Sequence, residues 1–280
     1  MKISAILDAY LIYAETHIVS VERTRSAVAA LKREFGTRDH MRLTPRMTAS
    51  YRATEGLAAG TVNRELGVLE AALNHAREER LIERAPEIAK KRGAAKRTVW
   101  LRPEEVEALL SAAKAYPFLY TLIQLLLLTG QRLEAVLSLR WEQVDRKEGV
   151  VWFADHNLSL ADRRKGRGAV PISLRLAQLL DELRNGTPYV LITERGSRMQ
   201  HINREHWSAI VNAAGLPDLK PHDLRHTVAT NLIRNQVPLI EVSKLLGHAN
   251  TRITEQVYVG FAPKFLRNAV SKLDALVGAA

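Results

Sequence analysis

Cysteine is absent from all 280 residues, so neither a disulfide nor a thiolate zinc site can hold this chain together. Any metal would have to rest on histidines and carboxylates. No G-x-x-x-x-G-K-[ST] phosphate loop occurs either, and with it goes the usual cradle for a nucleotide triphosphate. Apolar runs are short. "TLIQLLLLTG" cannot span a bilayer, and the opening "MKISAILDAYLIYAETH" is interrupted by Asp8 and Glu15 where a signal peptide keeps an unbroken apolar core. A soluble cytoplasmic protein with no membrane partner is expected. Internal repeats and low-complexity tracts are missing as well.

Acidic residues are in deficit. Forty-one Lys and Arg face 30 Asp and Glu, a formal net charge of +11 with a pI near 10.0. The excess is shared, with 18 basic against 12 acidic residues in positions 1–98 and 23 against 18 in the remainder. A polyanion touching both halves fits this distribution, because each neutralised phosphate releases counterions. Charge alone leaves open a basic protein that is merely soluble.

The length and a 46% hydrophobic composition suit two modest domains, each with its own core. Residues 1–88 read as a small helical bundle. In "TVNRELGVLEAALNHAREERLI", Val62, Leu66, Leu69, Leu73 and Ala76 recur at steps of three and four, with Thr61 where an N-cap belongs. Residues 89–98 form a basic linker, in which Lys90, Lys91, Arg92, Lys96 and Arg97 surround a glycine without apolar periodicity. Such a segment can be simply solvated or can strap across a phosphate backbone. Residues 99–280 form the second domain. Pro103 with Glu104 and Glu105 opens a helix, and a very apolar helix follows and ends at Gly130. "GVVWF" and "GAVPIS" read as strands joined by the polar "HNLSLADRRKGR". Helices then return through "KFLRNAVSKLDALV". The predicted class is mainly α with a small antiparallel β-sheet.

The stretch "HDLRHTVATNLIRNQVPLIEVSKLLGHANTRITEQVYVG" (222–260) carries the chemistry and admits three readings. His222 and His226 at i, i+4 could share a metal as in a His-ligated metallohydrolase, but Arg225 between them sets a fixed cation beside the ion. "PLIEVSKLLGHANTRITEQVY" has the outline of a helix-turn-helix, which leaves His222 and Arg225 without a purpose. The third reading is metal-free cleavage of a DNA phosphodiester. That reaction needs a nucleophile that stores the phosphate, cations for its non-bridging oxygens and an acid for the departing 5′ oxygen. A tyrosine, two arginines with paired N–H groups and a lysine meet that specification.

"TGQRLEAVLSLRWEQVD" (129–145), "KGRGAVPIS" (165–173), "HDLRH" (222–226), "LLGH" (245–248) and Tyr258 resemble, in order and approximate spacing, the tyrosine recombinases or phage integrases. Single pieces are common; the ordered set is specific. The resemblance implies a helical, SAM-like core-binding domain followed by an α+β catalytic domain, closing on duplex DNA. It implies Arg132 and Arg225 as phosphate clamps, His222 beside the nucleophile, His248 as donor to a non-bridging oxygen, Lys165 as general acid and Tyr258 as the nucleophile of a 3′-phosphotyrosyl link. Arg163, Arg164 and Arg167 flank Lys165 as further DNA contacts. Also implied are a homotetramer on double-stranded DNA, strand exchange through a Holliday junction, no metal or other cofactor, and accessory DNA-bending or directionality proteins. The small arm-binding domain that some relatives carry in front is not expected here. Association with the nucleoid and residence in a mobile element follow from the same likeness.

Two positions depart from the pattern. Ala135 stands where many members carry an acid three places after the first arginine, with Glu134 next to it. Tyr258 follows His248 by ten positions where many relatives have nine. The remaining alternative is a DNA-binding relative that no longer cuts.

Overall fold

The computed structural model describes residues 1–18, 21–51, 53, 56–90, 99–153, 168–184, 186–193 and 196–247. The chain divides into two compact units, Met1–Arg97 and Thr98–Ala280. No helix among the described residues is long and apolar enough to cross a membrane.

The first unit packs α1 (Ile3–His17), α2 (Val21–Phe35) and α4 (Ala59–Glu78) on one another, with a short α3 (Pro45–Ala49) between. Its core is the apolar stripe that the periodicity marks: Leu66, Leu69 and Leu73 of α4 close on Ile3, Ile6 and Leu7 of α1 and on Leu31 and Phe35 of α2. Thr61 is not the cap of α4. Gly60 and Ala59 already take helical backbone, so the helix starts a turn earlier with Ala58 as N-cap and no side-chain cap. After α4 the chain folds back on its own unit: the Ala89 amide donates to Thr48 Oγ1 at 2.9 Å, and Lys90 pairs with Glu70 at 2.5 Å.

In the second unit α5 (Pro103–Ala113) begins as the sequence implies, with Pro103 in its first turn and the Glu105 carboxylate accepting from the Arg102 amide at 2.7 Å. The apolar α6 (Pro117–Thr129) runs through the core and stops because Gly130 turns left-handed at φ 63°. A five-residue α7 (Leu133–Leu137) follows. The three-stranded antiparallel sheet orders β1 (Val144–Asp145), β2 (Val150–Trp152) and β3 (Ala169–Pro171), with Val144 opposite Val151 and Val151 opposite Val170. Strands β2 and β3 are the anticipated pair; β1, at two residues, is too short to show alternation. Then come α8 (Leu174–Glu182), α9 (Arg204–Ala213), α10 (Asp223–Arg234) and α11 (Leu239–Leu246).

Leu101, near the start of this unit, is tied along α10 at both backbone polar groups: its amide donates to Thr227 Oγ1 at 3.0 Å and its carbonyl accepts from Asn231 Nδ2 at 3.0 Å. One turn further on, the Arg234 guanidinium lies 4.6 Å over the Trp100 ring. Residues 227, 231 and 234 share one helix face, so the entering segment is laced down the helix that begins next to His222. Thr227→Val keeps the volume but leaves the buried Leu101 amide without its acceptor. We expect a loss of about 1–3 kcal/mol, read as a lower denaturant midpoint at unchanged slope; a loss within about 0.5 kcal/mol, the usual range of surface changes, would refute the lacing.

Candidate functional site

The site is built from two turns. The first follows α6. Thr129 Oγ1 returns to the Leu125 carbonyl at 2.6 Å and accepts from the Gln131 amide at 3.3 Å, closing the helix end. Gly130 takes a positive φ that favours glycine, and a Cβ there would also press, at 3.0 Å, on Leu246 Cδ2 and Val228 Cγ1. The tight turn delivers Arg132 to the N-cap of α7, half-buried.

The second turn precedes α10. The Trp207 indole donates to the Leu219 carbonyl at 3.0 Å. Asp223 then closes the turn twice: its carboxylate accepts from the Lys220 amide at 2.8 Å, and its own amide donates to the Lys220 carbonyl at 2.9 Å. This acid at the positive end of the helix dipole fixes His222 at the N-cap and Arg225 in the first turn. Arg225 is 5% exposed, and its Nη1 donates to the Gly130 carbonyl at 3.1 Å. The two turns are therefore joined through the side chain of one and the backbone of the other, across 95 positions of sequence.

Between them opens a cleft of about 460 Å³ bordered by Arg132, Glu134, Ala135, Lys220, Pro221 and His222. His222 is held below the ordinary histidine range, first by burial, then by the neighbouring His226, Arg225 and Arg132; Asp223 opposes this. It is a neutral imidazole at neutral pH, able to accept a proton. His226 stacks edge-on against it, with ring centroids 5.1 Å apart at 90°. Among the described residues no group of three or more histidines and carboxylates could hold a metal.

Of the residues marked in the sequence, Arg132 and His222 border this cleft, and the buried Arg225 is tied to the turn that presents Arg132 through the Gly130 carbonyl. Lys90 lies in the first unit, in its exposed pair with Glu70. Lys165, His248, Tyr258, Lys91, Arg92, Lys96, Arg97, Arg163, Arg164 and Arg167 lie outside the described residues. Lys220 borders the cleft and has no motif to announce it; the only local signal is its place ahead of Pro221 and His222. At the position of the missing acid, Ala135 is buried, whereas Glu134 is exposed at the cleft.

Residues 99–264 match the model of the phage integrase family. The chain belongs to that family. Other members include a XerC-like tyrosine recombinase of Caldanaerobacter subterraneus, 32% identical over 62% of this chain and 53% of its own length. The integrase of Salmonella phage P22 is 25% identical over 79% of the chain and 59% of its own. The chain thus spans between half and two thirds of these curated relatives. In fold it is similar to the Tn1549 transposon integrase in complex with transposon right-end DNA, at a TM-score of 0.79, 16% identity, and 92% and 95% of the two chains. It is also similar to lambda integrase, solved as a tetramer bound to a Holliday junction, at 0.69, 19% identity, and 90% and 78%. Neither a metallohydrolase nor a lone helix-turn-helix is favoured by any of these likenesses.

Proposed function

We propose that the protein is a site-specific DNA recombinase that cuts and rejoins duplex DNA through a covalent 3′-phosphotyrosyl intermediate. The observation that carries this reading is the bond from Arg225 to the Gly130 carbonyl, which ties one phosphate-binding arginine to the turn that presents the other, beside a neutral histidine. Two guanidiniums so held can neutralise the non-bridging oxygens of one phosphate. Tyr258 attacks the phosphorus, its proton passing to His222. Lys165 protonates the 5′ oxygen as it leaves, and the energy of the broken ester is kept in the tyrosyl ester for religation by another 5′-hydroxyl. His248 donates to a non-bridging oxygen. No external energy source enters this balance.

Residues 1–88, the body of the first unit, act as the core-binding domain, residues 89–98 as the linker and residues 99–280 as the catalytic domain. Lys91, Arg92, Lys96 and Arg97 follow the DNA backbone, with Arg163, Arg164 and Arg167 as further contacts. The exposed Lys90–Glu70 pair contributes little by itself, so a phosphate can compete for Lys90. Four protomers on two DNA sites, in the cytoplasm and on the nucleoid, complete the reading, with DNA-bending or directionality proteins as accessory partners.

The test works without a defined target sequence. The protein is incubated with fragmented genomic DNA from its source in EDTA, denatured in detergent, and the DNA that stays attached is sequenced. Discrete fragments recovered covalently support the reading; random or no recovery speaks against it.

The histidine gives a pH prediction. Its depressed pKa means that His222 charges only below about 6.5, the ordinary value. Above that window it is free to accept the tyrosine proton; as the pH falls through it, the acceptor is lost. Adduct formation by the wild type is expected to fall on acidification below that value. The slope should flatten in His222→Gln, and parallel profiles would remove His222 from the proton path.

A further inference from the structure

Gln131 stands between Gly130 and Arg132, is 1% exposed, and has no role in the chemistry described above. Its side chain reaches across the fold: Nε2 donates to the Leu245 carbonyl at 2.6 Å. That carbonyl belongs to the last turn of α11, which Gly247 terminates with a left-handed φ of 64°. Carbonyls in a last turn lie beyond the helical ladder and need outside donors, and here a neutral amide supplies one.

The same turn of α11 is approached from two other sides. Gly130 lies against Leu246 so closely that a Cβ would meet Leu246 Cδ2 at 3.0 Å. Gly168, at the entrance to β3 and three residues after Lys165, sits so that a Cβ would come within 2.8 Å of the Lys244 and Leu245 carbonyls. Three segments far apart in sequence, the Arg132 turn, the start of β3 and the end of α11, therefore meet at one helical turn. The next residue after that turn and its glycine is His248.

We propose that Gln131 is a positioning residue that sets the end of α11, and hence the start of the segment carrying His248, in register with Arg132. The inference rests on the recombinase reading for the meaning of that register, while the tie itself is independent of it. A hydrogen bond of 2.6 Å from the buried Gln131 amide to the half-buried Leu245 carbonyl fixes direction as well as distance. The two glycines remove side chains that would hold the turn away. Arg132 and Gly247 are then placed by one backbone turn rather than by two separate elements, which suits a site where a small misplacement is costly in rate.

The test uses the full chain with Gln131→Glu, which keeps the size but sets a carboxylate against the Leu245 carbonyl, and Gln131→Met, which keeps the packing without a donor. Gly168→Ala, pressing on the same turn from the other side, is the control should either fail to fold. Amide exchange over residues 239–247 is expected to quicken about fivefold to tenfold, the size of one lost hydrogen bond, while α6 exchange stays unchanged. On the DNA recovered by covalent capture, single-turnover cleavage should fall about tenfold or more with binding unchanged. The cleavage of Gln131→Glu relative to the wild type should recover as the pH falls, because the protonated carboxyl can donate again and burial favours that form.

Unchanged exchange in both variants would overturn the tie. Faster exchange with normal cleavage would overturn the positioning role, as would a cleavage defect in Gln131→Glu that ignores pH. Absence of any Tyr258-dependent adduct in the wild type would instead overturn the recombinase chemistry, and the exchange measurement separates the two failures.

Discussion

Tyr258→Phe is expected to abolish covalent attachment to DNA while leaving binding within about twofold of the wild type, since affinity rests chiefly on phosphate neutralisation by basic side chains. The change deletes one oxygen, the atom that would bond to phosphorus. Phenylalanine keeps the ring, and retained binding in the same reactions rules out loss of fold as the cause of a lost adduct. No other side chain in the proposed scheme can take over: the histidines give labile phosphoramidates, and the chain has no cysteine. The measurement pairs a native shift assay with denaturing electrophoresis of the same reactions in EDTA. Wild-type protein should hold DNA under both conditions and the variant only under the first. An adduct that survives in Tyr258→Phe would move the nucleophile elsewhere and with it the whole assignment. If both proteins bind and neither forms an adduct, the chain is a binder that has lost cleavage.

Much of the second unit is legible in sequence because its signals are local. Pro103 with two glutamates opens α5, Gly130 closes α6, and "VVW" and "AVP" pair as strands because apolar alternation and turn residues are read within a few positions. The ordered motifs single out Arg132, His222 and Arg225 without any contact. What escapes is long-range. Gln131 looks like filler in a four-residue motif until its amide is found on a carbonyl 114 positions away. Leu101 and Asn231 are separated by 130 positions, and neither residue type carries a signal. Lys220 enters the cleft only because Trp207 and Asp223 fix the turn around it. Thr61 misleads for a local reason: threonine is a good cap in isolation, but the small residues before it let α4 begin a turn earlier, and no side-chain oxygen is needed there.

The Arg225 side chain carries the second large effect. It is nearly buried, and in the proposed scheme its guanidinium has two demands on it: one N–H satisfies the Gly130 carbonyl, and the fork would still have to present donors to the phosphate. A guanidinium meets both because its five N–H groups are fixed in a plane. In Arg225→Lys the charge survives but a single ammonium must choose, and its tetrahedral donors do not match two phosphate oxygens. Single-turnover adduct formation should fall by about 10²–10³, the typical size of losing one preorganised donor to a charge that develops in the transition state. Binding should fall by less than about tenfold, since one contact among many phosphate contacts is weakened. The split between rate and affinity is the diagnostic. Arg225→Ala should behave worse for a second reason: it leaves the Gly130 carbonyl without its donor and loosens the turn that presents Arg132, at a cost of about 1–3 kcal/mol visible as a lower denaturant midpoint. If Arg225→Lys forms adduct within about threefold of the wild type, well short of what a lost preorganised donor costs, Arg225 serves only to hold the Gly130 turn, and Arg132 must neutralise the phosphate with other partners.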